Sequence, residues 1–332
     1  MSHSITILGD GGWGTALALV LHRNGHQVTL WGHEEAYVRE ALARRENFRY
    51  LPGVSLPADL AWTSDRNAAT ANRDAYVVAV PSKFYQTTLA GFHGLLPHDA
   101  AVVSVSKGLV ADRRLSQWAQ DLLELTHVAA LSGPSHAEEV AREAPTAVTV
   151  ASADPELAAF FQHLFNNPRF RVYTSADIVG LELGGALKNV IAIAAGVSDG
   201  LGFGDNTKAA LITRGLAELM RLGMAAGGQA ETFAGLSGVG DLIVTCGSRH
   251  SRNRSVGERL GKGETLAQIE AGMQMVAEGV WNARTARELA KHLNISAPIT
   301  EEVFAILYEG KNPRDAMESL LARDPKPEKD HP

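Results

Sequence analysis

Short apolar runs alternate with longer polar-faced stretches through the first half of the chain, and that alternation predicts the secondary structure. Ser4-Ile5-Thr6-Ile7-Leu8 reads as a strand and Ala16 to His22 as a helix. Gln27 to Trp31 then reads as a strand, Glu34 to Arg45 as a helix, and Leu60 to Thr63 as a weak strand. Ala75 to Val80 is almost continuously apolar and stops at Pro81, the pattern of a strand buried on both faces. Ala101 to Ser106, His127 to Leu131, Thr146 to Val150 and Arg169 to Tyr173 add four more strands, the last two separated by a helix from Pro155 to Phe165. Strands alternating with helices imply a doubly wound, mostly parallel sheet, in which ligands bind beyond the carboxyl ends of the strands.

From about Ile178 the strand-like runs give way to helical periodicity: Leu183 to Val197, Lys208 to Ala226, Thr232 to Leu236, Thr265 to Ala271, Gly279 to Lys291 and Thr300 to Leu307. The fold class is therefore α/β, with a Rossmann-type sheet over residues 1–178 and an all-helical part over 179–324. A polar tail follows over 325–332, with a composition that favours disorder. The 332 residues suit two domains, since single cores stop growing at roughly 250–300 residues.

The first turn is where the pattern becomes chemical. Gly9-Asp10-Gly11-Gly12-Trp13-Gly14 lies between the first strand and the first helix, the order that a dinucleotide-binding unit requires. Gly9 permits the tight turn, Gly11 lets the backbone approach a pyrophosphate, and Gly14 lets helix and strand pack closely. At the end of the second strand, where the adenosine ribose would be read, stand His33, Glu34 and Glu35. His33 leaves room for a 2′-phosphate and the glutamates suit a free hydroxyl, so the cofactor is NAD or NADP, with NADPH slightly favoured.

Lysines follow two strand ends, Lys83 and Lys107, and Ser132-Gly133-Pro134-Ser135-His136-Ala137 follows a third; together they form a candidate rim for an anionic substrate. In the helical half, Lys188-Asn189 interrupts an apolar helix. A lysine partly buried there has its pKa lowered, as a proton donor or acceptor near neutrality needs. Asp241 lies in a glycine-flanked turn, and Ser251-Arg252-Asn253 reads as a surface loop with donors suited to a phosphate.

The net charge of −6 and a pI near 6.1 argue against nucleic acid as the main partner. One cysteine, Cys246, excludes an internal disulfide and suits a reducing, cytoplasmic setting. No targeting peptide, membrane-spanning run or metal-ligand cluster is expected.

Read together, these segments resemble the bacterial NAD(P)-dependent glycerol-3-phosphate dehydrogenases. The resemblance runs in order through Gly9 to Ala16, Asn47-Phe48-Arg49-Tyr50-Leu51-Pro52-Gly53, Val80-Pro81-Ser82 and Ser106-Lys107-Gly108. It continues through Ser132 to Ala137, Leu187-Lys188-Asn189, Gly240-Asp241-Leu242, Ser251-Arg252-Asn253 and Val276-Ala277-Glu278-Gly279. It implies cofactor contacts at Gly12, Trp13, His33, Tyr50, Lys107 and Ala137, and substrate contacts at Lys107, Gly133 and Ser135. By the same resemblance Lys188 is the proton acceptor and Asp241 its substrate-side partner. Ser251, Arg252 and Asn253 then form the substrate-phosphate loop, with Arg252 also near the cofactor, and Val276 and Glu278 close over the nucleotide. The implied activity is reversible reduction of dihydroxyacetone phosphate to sn-glycerol 3-phosphate, supplying phospholipid synthesis, in a homodimer with a 6-phosphogluconate-dehydrogenase-like architecture. The alternatives are another two-domain dehydrogenase, of 3-hydroxyacid or 6-phosphogluconate type, and a non-catalytic dinucleotide sensor. One departure from the family is Asp10-Gly11-Gly12 where Ala-Gly-Ser is common; Asp10 places an anion near the pyrophosphate unless its side chain points away.

Overall fold

In a computed structural model, which describes residues 1–328 except 112, 274 and 326, eight strands form one sheet. Counting the two of a separate hairpin, the described residues form ten strands: β1 (Ser4–Leu8), β2 (Gln27–Trp31), β3 (Ala61–Thr63), β4 (Ala75–Val78), β5 (Ala101–Ser104), β6 (Leu109–Val110), β7 (Arg113–Arg114), β8 (Ala129–Ser132), β9 (Thr146–Ala151) and β10 (Phe170–Ser175). The sheet order is β10-β9-β8-β5-β4-β1-β2-β3, and β6 and β7 form a separate antiparallel hairpin. Every pair in the large sheet is parallel except β8 with β9. Chain order reverses between β1 and β4, so the crevice for a ligand opens there, beyond Leu8 and Val78.

The predicted strands all form, with ends shifted by a residue or three. The apolar runs that suggested burial on both faces are buried: Ala75 through Val78 have no more than 1% exposure. Two cores account for this, one on each side of the sheet. Ile5, Ile7, Leu17, Leu30 and Val77 pack into one, and Leu8, Tyr76, Val78, Leu89 and Phe92 into the other. Hairpin β6–β7 was not anticipated, because two-residue strands carry almost no periodic signal, and neither was the short amphipathic helix Pro313–Leu321. Most of the polar tail lies outside the described residues.

The helical half is built around the helix Ile178–Gly200, in which every residue from Gly180 to Ser198 is buried. Helices Asp205–Ala225, Asp241–Gly247, Arg252–Gly261, Glu278–His292 and Pro298–Tyr308 pack around it. Its 23 residues, with mean hydropathy 1.6, are long and apolar enough to cross a membrane, contrary to the expectation that no run approaches one; 89% of that window is buried by the surrounding protein. A core helix with no solvent face is apolar all round, so composition alone cannot distinguish it from a span.

Its closest neighbour is Arg252–Gly261. A Cβ on Gly257 would lie 1.9 Å from the Ile193 carbonyl oxygen, and one on Gly196 would lie 2.0 Å from that of Arg254. The two backbones are therefore in direct contact, with no side chain between them.

Candidate active site at the sheet edge

The opening turn has the geometry that its glycines predict. Gly9 has φ +115, in the region that favours glycine, and a Cβ there would meet the Ala79 carbonyl oxygen at 2.6 Å. A Cβ on Gly14 would lie 2.1 Å from the Gly9 carbonyl oxygen, so helix and strand touch through backbone. Above Gly11 there is open space to 4 Å. The helix Gly12–Arg23 begins at Gly11 with no side-chain cap and no acidic residue in its first turn, leaving its N–H groups for an anion. The buried Trp13 indole N–H likewise has no partner. Tyr50 and Ala137 border the turn: a Cβ on Gly12 would lie 2.6 Å from the Tyr50 carbonyl oxygen and 3.7 Å from Ala137 Cβ. An uncapped helix start, open backbone and an orphaned donor together suit a dinucleotide.

The Asp10 side chain points away from the turn, one of the two placements the sequence left open. Its carboxylate turns to the end of β2, where a Cβ on Gly32 would meet Asp10 Oδ2 at 2.0 Å. His33 is exposed beside it, and Glu34 is drawn into an ion pair with Arg49 at 2.7 Å.

Across the crevice the loop after β5 carries Lys107, and the core helix carries Lys188. Both reach one carboxylate: Lys107 Nζ donates to Asp241 Oδ2 at 2.7 Å, and Lys188 Nζ to Asp241 Oδ1 at 2.5 Å. Lys107 also donates to the Gly133 carbonyl at 2.9 Å, and Ser135 Oγ donates to the same oxygen at 2.9 Å. Two sequence-predicted lysines, one from the end of β5 and one from the helical half, thus converge on Asp241, and Lys107 links that carboxylate to the Gly133 carbonyl at the end of β8. The expected glycine-flanked turn at Asp241 is a π-helical turn, Leu236–Gly240, that runs into a helix, and the residue is 1% exposed.

Burial dominates the electrostatics of this cluster. It lowers Lys188 to about 8 even though Asp241 opposes the shift and Lys107 reinforces it. Burial alone would raise the Asp241 carboxyl, but Lys107 and Lys188 together hold it below the usual carboxylate range. Lys188 is only 4% exposed, so it does not reach along the helix surface to solvent. His136, near both lysines, is also lowered, by burial first and by Lys188 second.

Thr245 belongs to the cluster and was missed. Its hydroxyl donates to the Asp241 carbonyl oxygen at 2.6 Å and accepts from Lys188 Nζ at 2.6 Å. It lies among Leu242, Ile243, Val244 and Cys246, an apolar run that hides it in the sequence. Spacing offered a signal, since four residues beyond Asp241 on a helix is the same face.

Ser251-Arg252-Asn253 is a helix start instead of a surface loop. Ser251 Oγ accepts from Arg254 N–H at 3.2 Å as the N-cap, and Ser251 and Asn253 are buried. Asn253 donates to Asn189 Oδ1 at 2.9 Å and accepts from Gly279 N–H at 2.8 Å, joining the start of this helix to two others. Arg252 keeps an exposed surface yet is closely surrounded by protein, and that surrounding lowers its guanidinium below the ordinary value. Its Nη1 donates to the Val276 carbonyl at 2.9 Å. Two residues further on, Glu278 accepts from Ser82 N–H at 3.0 Å and from Ser82 Oγ, tying the segment to the loop after β4. Lys83 does not join the predicted rim; it is exposed and lies over the Phe84 ring. Arg254 is likewise occupied elsewhere, with Lys208 on Asp199. Among the described residues, no group of three or more His, Cys, Asp or Glu is arranged to hold a metal.

Comparison with known proteins completes the description. Residues 4–158 match a family model described as the NAD-dependent glycerol-3-phosphate dehydrogenase N-terminus, and residues 177–318 match the corresponding C-terminus. The chain is 51% identical over 324 residues to glycerol-3-phosphate dehydrogenase [NAD(P)+] of Bacillus pumilus, covering 96% of this chain and 94% of that one. To the enzyme of the same name from Geobacillus thermodenitrificans it is 50% identical over 336 residues, covering 98% and 96%. A crystal structure of glycerol-3-phosphate dehydrogenase from Coxiella burnetii superposes with a TM-score of 0.94 at 40% identity, over 97% of this chain and 99% of that one. A ketopantoate reductase structure from Ralstonia eutropha, at 17% identity and a TM-score of 0.60, shares the fold.

Proposed function

This chain belongs to the NAD(P)-dependent glycerol-3-phosphate dehydrogenase family and is an oxidoreductase acting on dihydroxyacetone phosphate and glycerol 3-phosphate, and from that premise we propose how its residues divide the work. The observation that carries the reading is the buried Lys107–Asp241–Lys188 array beside an open glycine turn. The bound nicotinamide dinucleotide supplies or accepts the hydride exchanged with the substrate's C2. Lys188 gives a proton to the C2 oxygen during reduction and takes it back during oxidation; a value of about 8 makes both forms accessible near neutrality. Lys107 neutralises charge developing on that oxygen. Asp241 holds both ammonium groups in place and keeps Lys188 from losing its proton altogether. Thr245 fixes the Lys188 ammonium from the other side.

The substrate phosphate lies at the start of the helix Arg252–Gly261, where Arg252 offers a forked donor and Ser251 and Asn253 hold the turn. Gly133 and Ser135 border the carbon chain. Gly9, Gly11, Gly12, Trp13, Gly14, His33, Tyr50 and Ala137 hold the dinucleotide, with Arg252, Val276 and Glu278 closing over it. The residue ranges 1–178 and 179–324 are the two domains, and the enzyme works as a cytoplasmic homodimer in phospholipid precursor synthesis.

The test is NADH and NADPH oxidation with dihydroxyacetone phosphate, in the wild type and in Lys188→Ala. Turnover with at least one cofactor is expected, with a loss of at least about a hundredfold in the variant and dinucleotide affinity little changed. No turnover with either cofactor sinks the assignment, and near-normal turnover in the variant removes Lys188 from proton transfer.

A further inference from the structure

We propose that Asp10 is a specificity-determining residue that selects the non-phosphorylated dinucleotide: its carboxylate, presented beside Gly32 at the end of β2, accepts from the adenosine ribose hydroxyls and excludes a 2′-phosphate. The proposal rests on the reading that the opening turn holds a nicotinamide dinucleotide. It reverses the slight tilt toward NADPH drawn from His33.

The geometry supports it in three ways. First, the end of β2 is where a Rossmann-type unit reads the adenosine ribose. Asp10 brings an acid to that point from the glycine turn, whereas the more usual acid belongs to the strand end itself. Second, Asp10 is 7% exposed and has a backbone hydrogen bond, which leaves its carboxylate further acceptor capacity. The nearest side-chain donor is the Trp62 indole N–H, which faces Asp10 but is itself left without a hydrogen-bond partner. A buried acceptor in this state gains most from a hydroxyl donor. Third, the nearby cations offset the burial of Asp10 only in part. Arg49 is committed to Glu34 at 2.7 Å and stacks over the Tyr37 ring at 4.1 Å.

A phosphate dianion here would face Asp10 and Glu34 against Arg49 and His33, and of these charges the buried Asp10 is the least screened by solvent. Gly32 completes the device, because any side chain there would displace Asp10 Oδ2. Burial pushes the Asp10 carboxyl up to about 6, while His33 and Arg49 act to lower it. The groups that face it are His33 and Glu34 after β2, Tyr37 on the next helix, Arg49 in the following loop and Trp62 on β3.

The test is direct binding of NAD+ and NADP+ by calorimetry at about pH 8, well above the Asp10 value, in the wild type, Asp10→Asn, Asp10→Ala and Gly32→Ala. The wild type is expected to bind NAD+ more tightly. Asp10→Asn and Asp10→Ala are each expected to raise the NADP+ to NAD+ affinity ratio by at least about tenfold. Gly32→Ala, which displaces the carboxylate without removing it, should move the ratio in the same direction. As pH falls toward about 6, the wild-type ratio should rise relative to that of Asp10→Asn, a difference that removes the titration of the 2′-phosphate itself. An unchanged ratio in a folded Asp10→Asn protein overturns the proposal, as does a wild type that binds NADP+ as tightly as NAD+. Failure of the wild type to bind either dinucleotide overturns the nucleotide reading as well, so the two failures are distinguishable.

Discussion

Replacing Asp241 by asparagine tests the coupling on which the proposed chemistry depends. The carboxylate accepts from Lys188 at 2.5 Å and from Lys107 at 2.7 Å, and it is the anion that offsets the burial of both. A unit charge about 4 Å away is worth about 4 kcal/mol at an effective dielectric of about 20, or about 3 pH units. An amide keeps part of that dipole, so the Lys188 value should fall by at least about one unit from its starting point near 8. In the proposed chemistry, reduction needs the lysine protonated. In the wild type, kcat/KM for dihydroxyacetone phosphate should be full below about pH 8 and fall above it, while oxidation shows the opposite limb. In Asp241→Asn both limbs should move toward acid. The assay is kcat/KM in both directions across pH, with thermal unfolding measured alongside. Leaving buried ammonium groups without their carboxylate costs about 3–5 kcal/mol unless they deprotonate, so a lower melting temperature is also expected. Limbs that stay in place in a folded Asp241→Asn enzyme, or that move toward base, would refute the coupling.

Lys188 also carries a stability signature. Its folded value lies below the ordinary 10.5, so the wild type is penalised below about pH 8 and should gain stability as pH rises from about 8 to about 10.5. Denaturant melts across that range check the sign after correction for surface lysines, with Lys188→Met as reference. Gly257→Ala should destabilise by about 3 kcal/mol or more, because the new methyl group would sit 1.9 Å from the Ile193 carbonyl oxygen and the backbones must part; urea unfolding measures it. Cys246 is fully buried and its thiol is pushed up to about 12 by burial, so alkylating reagents should label it only in denaturant.

Much of the fold could be read from periodicity, because a buried parallel strand and a buried helix each impose a composition that little else produces. Ala75 to Val78 and Gly180 to Ser198 are examples. The elements that escaped are those held by few, non-periodic contacts, such as hairpin β6–β7. Within the site, residue types were more readable than their surroundings. Lys188 stood out because a lysine inside an apolar helix is costly. Asn253 was read as an exposed phosphate donor, whereas its buried amide links two other helices, a tertiary contact with no local signature. Asp10 was noticed only as a departure from the family. Its partner position, Gly32, lies 22 residues further along the sequence (32 − 10) and becomes significant only once β1 and β2 are paired.

The backbone contact between the helices Ile178–Gly200 and Arg252–Gly261 has a consequence for substrate length. One helix carries the ammonium proposed to serve the C2 oxygen, and the other begins at the residues proposed for the phosphate. Because the two meet at Gly196 and Gly257 with no side chain between them, the span from Lys188 to Arg252 is set by main-chain geometry. The two backbones that carry these side chains cannot part without opening the core. On the proposed division of roles, a phosphorylated ketone with a longer chain must be accommodated by the Lys188 and Arg252 side chains alone, so the helix crossing contributes to selectivity for a three-carbon substrate.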